Sequence, residues 1–196
     1  IGGCYTFNGV NNYINISDSP SLRVNNLTLE VWINPTGNHP LSGRIIEKGW
    51  GGAPTYASYI FRWNDADSTK LSFDIGKNLG YTTATSVTNN FNNKWTYVVG
   101  TYDHQNLKLY INGVLEATTP ETANIVYTGA PFYISRYNGG SGYEFTGSID
   151  EVRIYNRSMN ISEILDHNAT LYNKVRNDRL IAGQNWTCQI TPNNNT

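Results

Sequence analysis

Charged residues are scarce in this sequence, and neither sign is in excess. They make up 15% of the 196 residues, with Lys+Arg 14 against Asp+Glu 15. Proteins that bind nucleic acid present clustered Lys and Arg side chains to the phosphates, and the sequence contains no such basic stripe. We therefore expect no nucleic-acid partner.

Long apolar runs are also missing. A helix that crosses a bilayer needs about 20 consecutive, mostly apolar residues, and no stretch of the sequence approaches that length. The hydrophobic residues, 39% of the chain, are divided among short segments separated by Gly, Asn and Pro. We expect no membrane insertion, and a chain of this length can form one domain with a substantial core.

Cysteine is nearly absent, and the two in the sequence are Cys4 and Cys188. An even number of cysteines in a chain with few charges and many Tyr and Asn residues is typical of an oxidising, extracellular environment. Each cysteine lies in a strand-like segment. If the terminal strands pair, a Cys4–Cys188 disulfide would contribute about 4–5 kcal/mol to stability. The alternative is two buried thiols that do not pair.

Asparagine is abundant, and many of these residues stand in Asn-X-Ser/Thr triplets, the acceptor sequence for N-glycosylation. A chain this rich in Asn, Ser and Thr is expected to contain roughly five such triplets by chance, so their number does not establish glycosylation. They agree with an extracellular or cell-surface location. The acceptor residues are Asn15, Asn26, Asn156, Asn160, Asn168, Asn185 and Asn194.

Short segments with alternating apolar residues dominate the chain. In "LTLEVWINP" (27–35), Leu27, Leu29, Val31 and Ile33 share one face, which predicts a half-buried strand. The segments "KLSFDIG" and "KWTYVVGTYD" are also rich in strand-forming residues. Asn112-Gly113 between two such segments predicts a tight hairpin. Many short strands with turn signals between them predict an antiparallel β-sandwich.

One helix is predicted late in the chain, over residues 161–173. Asn160 can cap its first turn, and Glu163 stands at the position that completes a capping box. Apolar residues then recur at helical spacing. We expect this helix to pack against the sheets rather than to bind a partner.

Four segments together resemble the laminin-G-like, concanavalin A-like jelly-roll domains. They are "CYTFNGVNNYINISDSPSL", "LTLEVWINP", "KWTYVVGTYDHQNLKLYINGVLE" and "GSIDEVRIYNRSMNISEI". The resemblance covers about residues 4–173 and implies an all-β sandwich with one short C-terminal helix. We expect a single domain over residues 1–190 and a polar tail over 191–196. The segment after the helix departs from the family pattern, and it is either an added strand or the edge of a neighbouring module.

A structural calcium is implied by the resemblance, because related folds often hold one where the first and last strands meet. Alternation along "GSIDEVRIY" places Asp150 on the same face as Val152 and Ile154, where a carboxylate needs a partner or a metal. Asn8 and a nearby backbone carbonyl, for example that of Asn11, are the other candidate ligands. The alternative is that Asp150 caps backbone amides in a turn, while Glu151 pairs with Arg153 at the surface.

Catalysis is not predicted. Glycosidases need two carboxyl groups that face one another across a sugar, and adjacent Asp150 and Glu151 point to opposite faces of a strand. Enzymes with this jelly roll carry a Glu-X-Asp-X-X-Glu strand, and the sequence contains none. We therefore expect a domain that is not an enzyme, with a glycoside hydrolase or polysaccharide lyase as a disfavoured reading.

Glycan binding is the predicted function, because sugars stack on aromatic rings and hydrogen-bond to polar side chains. Two Gly-rich stretches offer this mixture, although any one ring could instead cover the edge of the core. The candidate residues are Trp50, Tyr56, Tyr59 and Trp63 around the first stretch, and Arg136, Tyr137, Asn138 and Tyr143 in the second. The predicted partners are glycans or other surface proteins. The alternative is a structural, self-associating module of a glycosylated surface protein or filament without a ligand pocket.

Overall fold

The computed structural model describes residues 4–49 and 57–170. These residues form strands, one short 3-10 turn at Pro20–Leu22 and one α-helix, α1, at Ile161–Thr170. The strands are β1 (Tyr5–Asn8), β2 (Ile14–Ile16), β3 (Leu27–Pro35), β4 (Arg44–Lys48), β5 (Tyr59–Trp63), β6 (Lys70–Lys77), β7 (Gly80–Asn89), β8 (Thr96–Tyr102), β9 (Asn106–Ile111), β10 (Val114–Pro120), β11 (Phe132–Ile134) and β12 (Thr146–Tyr155).

The strands pair into two antiparallel sheets. Sheet 1 has the order β1-β12-β3-β8-β9-β10, and sheet 2 has the order β2-β11-β4-β5-β6-β7. Their facing sides enclose the main hydrophobic core. The predicted all-β, concanavalin A-like sandwich with one C-terminal helix is therefore confirmed.

The core follows the alternation read from β3. Leu27, Leu29, Val31 and Ile33 are fully buried in it. They meet Phe61 and other inward residues of sheet 2. Since successive residues of a strand point to opposite faces, the residues between them lie on the outer faces of the sandwich. Polar and charged side chains of the strands therefore lie on those outer faces.

Helix α1 covers part of the outer face of sheet 1, as expected. It buries a second apolar cluster of Trp32, Tyr97, Val99, Tyr110, Met159 and Ile164, with Trp95 against it. The predicted capping box is present, because Asn160 Oδ1 accepts from the Glu163 amide at 3.0 Å and Glu163 Oε2 accepts from the Asn160 amide at 3.1 Å. Residues 171–173 of the predicted helix lie outside the described residues.

Glu30 lies in the same layer, on the outer face of β3, and its side chain is fully buried. Its Oε1 accepts from Arg153 Nη1 at 2.9 Å and from the Tyr155 hydroxyl at 3.2 Å. Its Oε2 accepts from the Tyr97 hydroxyl at 2.5 Å and from Nδ1 of His167 in α1 at 2.8 Å. One carboxylate thus joins β3, β8, β12 and the helix.

The β9–β10 connection is the predicted Asn-Gly hairpin. Asn112 and Gly113 have φ values of 50° and 80°, as a type I′ turn requires. Asn168 Nδ2 in α1 donates to the Asn112 carbonyl at 3.2 Å. The last turn of the helix is therefore held against this hairpin.

A bulge in β12 overturns the predicted face of Asp150. The pairing with β3 passes from Asp150 opposite Trp32 to Arg153 opposite Glu30, and Glu151 at the bulge has a φ of 53°. Ile149 is consequently the buried residue, and Asp150 lies on the outer side with Trp32. Simple alternation was wrong here because a bulge shifts the side-chain parity of a strand. The predicted surface pair of Glu151 and Arg153 is present.

Candidate functional site

The outer face of sheet 2 carries one continuous row of residues that crosses all six strands. The pairing register places them side by side, from β2 through β11, β4, β5 and β6 to β7. They are Asn15, Tyr133, Glu47, Ile60, Asp74 and Thr83. Two carboxylates therefore stand in a single row, separated by one strand.

Each of these two carboxylates is buried and paired with an arginine. Arg44 Nε lies 2.6 Å from Glu47 Oε2, and Arg62 Nε donates to Asp74 Oδ2. Arg44 and Arg62 are themselves neighbours across the β4–β5 pairing. Arg62 also bridges to Asp65 in the turn that follows β5. Each of the two carboxylates in the row is thus neutralised by an arginine.

Burial is the main influence on the pKa of both carboxyl groups. It raises the pKa of Glu47, although Arg44 opposes the rise. It also raises the pKa of fully buried Asp74, against the effect of Arg62. Neither carboxylate side chain is exposed to solvent. A glycosidase acid and base must both reach the sugar, so this arrangement favours a structural role for the two groups.

Above the ion pairs lies a group of aromatic and cationic side chains that we call the tyrosine–arginine surface. It consists of Tyr13, Tyr133, Arg136, Tyr137 and Tyr143. The Tyr13 and Tyr133 rings lie 6.2 Å apart, and Tyr137 and Tyr143 meet edge to face at 5.3 Å. The Arg136 guanidinium stacks over Tyr13 at 4.2 Å. Tyr13 and Tyr143 are 42% and 37% exposed, so both rings are accessible.

Buried Arg44 connects the ion pairs to this surface. Its guanidinium carbon lies 5.0 Å from the centre of the Tyr137 ring and 5.9 Å from that of Tyr143. The Asn138 amide donates to Glu47 Oε1 at 3.2 Å. Such contacts restrict the rings before any ligand arrives, which lowers the entropic cost of binding.

The loop that displays Tyr137 and Tyr143 is closed at its base. Ser135 Oγ accepts from the Phe145 amide at 3.1 Å and lies 3.3 Å from the Phe145 carbonyl. Within the loop, Glu144 Oε2 accepts from the Gly142 amide at 2.7 Å. The predicted second binding stretch is therefore a held loop in which Tyr137 contacts Tyr143. The Asn138 amide bonds to Glu47, and Arg136 stacks on Tyr13. The assignment of Arg136, Tyr137, Asn138 and Tyr143 as ligand-binding residues stays a prediction.

The first predicted binding stretch does not form a site among the described residues. Trp50 and Tyr56 lie outside the described residues. Tyr59 and Trp63 are buried in the main core, so their assignment as ligand-binding residues is wrong. The reason is strand parity: both share the inward face of β5 with Phe61. The Tyr59 hydroxyl donates to the Leu22 carbonyl at 3.0 Å instead of to a ligand.

The three predicted calcium ligands do not converge. Asn8 pairs with Thr146, and Asp150 lies four residues further along β12, about 13 Å away at the usual rise of a strand. Asn8 Oδ1 accepts from the Val10 and Asn11 amides, and Asn8 Nδ2 donates to Asn11 Oδ1 at 2.8 Å. Asp150 Oδ1 accepts from the Glu151 amide. These oxygens are used locally and do not fit one shared calcium site.

The structure describes only some of the residues that are predicted to form the disulfide or to carry glycans. Cys4 is exposed just before β1, while Cys188 lies outside the described residues, so their disulfide stays a prediction. Asn185 and Asn194 lie outside as well. Asn15, Asn26, Asn156 and Asn160 are exposed, and Asn168 is half-buried. Glycosylation at these positions stays a prediction.

Sequence reasoning missed the buried charges of sheet 2, Arg44, Glu47, Arg62 and Asp74. The signal was present in "KLSFDIG", where Asp74 stands between the core residues Phe73 and Ile75 and must face outward. The same parity places Arg62 outward between Phe61 and Trp63. What the sequence does not contain is the pairing that brings these charges from different strands into contact.

Comparisons with known proteins agree with this fold. A family model described as the "Concanavalin A-like lectin/glucanases superfamily" matches residues 8–165. Adhesion G-protein coupled receptor V1 of Danio rerio is 25% identical over 146 residues, which are 71% of this chain and 2% of the receptor. The chain therefore spans only a small fraction of that relative.

Two solved structures that contain an oligosaccharide are similar in fold. Domain 4 of AbnA, an extracellular arabinanase from Geobacillus stearothermophilus, in complex with arabinotriose, has a TM-score of 0.67 at 20% identity, over 85% of this chain and 76% of that one. The sialidase module CBM40 of Ruminococcus gnavus, bound to α2,3-sialyllactose, has a TM-score of 0.69 at 16% identity, over 84% and 96%. On the family match, the chain belongs to the laminin-G-like family of the concanavalin A-like lectin/glucanase superfamily.

Proposed function

We propose that this domain is a non-catalytic carbohydrate-binding module that holds glycans on its tyrosine–arginine surface. The observation that carries the proposal is that Tyr13 contacts Tyr133 and Arg136, and Tyr143 contacts Tyr137, with Tyr13 and Tyr143 accessible to solvent. The solved structures of similar fold include two that were determined with an oligosaccharide.

The chemistry of the surface suits a sugar. Tyrosine rings offer flat apolar faces for the C–H groups of a pyranose, and their hydroxyls supply hydrogen bonds at the edges. The Arg136 side chain among them adds donors that can fix the orientation of the sugar hydroxyls. Because Arg44 and Glu47 support the rings from below, the surface is largely preformed.

Binding without turnover is supported by the state of the nearby carboxylates. Glu47 and Asp74 are both committed to arginines and hidden from solvent. In the described part of the chain they are the two carboxylates of the strand row that crosses this face. Incubation with a polysaccharide panel should release no product. Turnover that disappears in Glu47→Gln or Asp74→Asn would overturn the non-catalytic proposal.

An extracellular or cell-surface setting forms part of the proposal. Its support is the exposure of several Asn-X-Ser/Thr acceptors and a similar structure described as part of an extracellular arabinanase. No helix among the described residues is long and apolar enough to cross a membrane. The proposed partners are therefore glycans on, or near, a cell surface.

A glycan array of the full chain, followed by calorimetric titration of the best ligand, tests the proposal. Tyr143→Ala and Tyr13→Ala should each weaken binding by about 5- to 30-fold, the equivalent of about 1–2 kcal/mol. Tyr5→Ala is the matched control, because Tyr5 is 67% exposed on β1 of the other sheet. Absence of glycan binding together with concentration-dependent self-association in sedimentation would support the structural-module alternative instead.

A further inference from the structure

Arg136 differs from the other arginines that the structure describes, because it has no carboxylate partner. The other five are each within 4.0 Å of an Asp or Glu oxygen: Arg23, Arg44, Arg62, Arg153 and Arg157. Within residues 4–49 and 57–170, no ion pair includes Arg136. Residues 50–56 contain no Asp or Glu, so that segment cannot provide a carboxylate either.

The contact that Arg136 does make leaves its donors available. Its guanidinium lies over the face of the Tyr13 ring at 4.2 Å. A guanidinium that stacks through its flat face still presents its N–H groups at the edge, in the plane of the group. Stacking on Tyr13 therefore fixes the position of the cation without using its hydrogen-bonding capacity.

Arg136 is also placed where a bound sugar would meet it. It is only half-buried, and it lies two residues after the end of β11 and just before Tyr137 in the closed loop. Tyr13, on which it stacks, lies 6.2 Å from Tyr133. A ligand lying on the tyrosine rings thus passes beside a cation that no carboxylate of residues 4–49 and 57–170 neutralises.

We infer that the site prefers glycans that carry a carboxylate, such as those with a sialic acid or a hexuronic acid, and that Arg136 binds that carboxylate. This inference rests on the proposed function. The reason is geometric, since the two parallel N–H groups of an arginine edge match the two oxygens of a carboxylate. Partial burial strengthens such a bond, because fewer waters compete for it.

Titration of the full chain with matched acidic and neutral probes tests the inference. One pair is 3′-sialyllactose and lactose, and the other is trigalacturonic acid and a neutral galactotriose. At least one acidic probe should bind about tenfold tighter than its neutral match, which corresponds to about 1.4 kcal/mol. The preference should weaken as salt is added.

Variants at Arg136 then test whether this residue causes the preference for acidic probes. Arg136→Gln should remove the tenfold advantage of the acidic probe, so that the acidic and neutral probes then bind with equal affinity. Arg136→Lys keeps the charge but not the planar edge, so it should restore only part of the preference. Lys94→Gln is the matched control, because Lys94 is exposed and makes no ion pair in the described part of the chain, and the substitution removes the same charge.

The outcomes separate this inference from the proposed function. Equal affinity for acidic and neutral probes, or a preference that survives Arg136→Gln, would overturn the inference and leave glycan binding intact. A preference for 3′-sulfated lactose over both carboxylate probes would also overturn it. Failure of every probe to bind would overturn the inference, whereas the glycan array decides the proposed function separately. Thermal unfolding of each variant establishes that it is folded.

Discussion

Replacing Glu30 by Gln should destabilise the domain more than any surface substitution. The carboxylate accepts four hydrogen bonds, from Arg153, Tyr155, Tyr97 and His167, and its side chain is fully buried. Glutamine has nearly the same shape, but one carboxylate oxygen becomes an NH₂ group that faces donors. Leaving a buried hydrogen-bonding group without its partner typically costs about 1–3 kcal/mol, and more where a charge is involved.

That cost is large against the about 5–15 kcal/mol by which most domains are stable. Urea unfolding at pH 7, followed by tryptophan fluorescence and circular dichroism, measures it directly. Glu151→Gln is the control, because Glu151 pairs with the same Arg153 but both side chains are more than 40% exposed. A surface pair of this kind contributes about 0–1 kcal/mol.

The comparison can refute the reasoning in a simple way. If Glu30→Gln lowers the free energy of unfolding by less than about 1 kcal/mol, or by no more than Glu151→Gln, the buried bonds do not hold the helix to sheet 1. If instead only Glu30→Gln is strongly destabilised, helix α1 should also lose protection from hydrogen exchange first, because His167 is its link to Glu30.

Three further results are expected. Burial raises the pKa of Glu30, but its bonds to Tyr97, His167 and Arg153 outweigh that effect and hold the pKa below 4.5. The stabilisation by Glu30 is therefore present above about pH 4.5 and is lost as the pH falls through its lower pKa in the folded state. Urea unfolding curves at a series of pH values should show this loss in the wild type, and an equal loss in Glu30→Gln would contradict the prediction. Chelation should leave the melting temperature unchanged, since Asn8, Asn11 and Asp150 do not converge; a drop of several degrees would reveal a calcium site formed by other groups. Mass analysis without reductant should find the chain two hydrogens lighter than the dithiol form if Cys4 and Cys188 pair, and recovery of two free thiols would exclude that disulfide.

Much of the fold could be predicted because its signals are local. The alternation of Leu27 through Ile33, the Asn112-Gly113 turn and the Asn160–Glu163 capping box each depend on residues close in sequence. The structure confirms all three. The same local logic, applied to β5, would have placed Trp63 in the core with Phe61.

The parts that could not be predicted depend on pairing between distant strands. The bulge at Glu151 arises where β12 meets β3, and nothing in "GSIDEVRIY" alone marks it. The contact of Arg62 with Asp74 likewise requires β5 and β6 to be in register. A charged residue in a strand is typical of a solvent-facing position, whereas here its neighbours remove it from solvent.

Helix α1 and the tyrosine–arginine surface lie on opposite outer sides of the sandwich. The helix lies on sheet 1, and Asn168 holds its last turn to the hairpin at Asn112, whereas the tyrosine–arginine surface lies on the outer side of sheet 2. A fluorophore or surface tether attached at exposed Leu165 would therefore sit behind the sandwich. Anchored in that way, the domain would present its tyrosine–arginine surface outward, toward whatever approaches it.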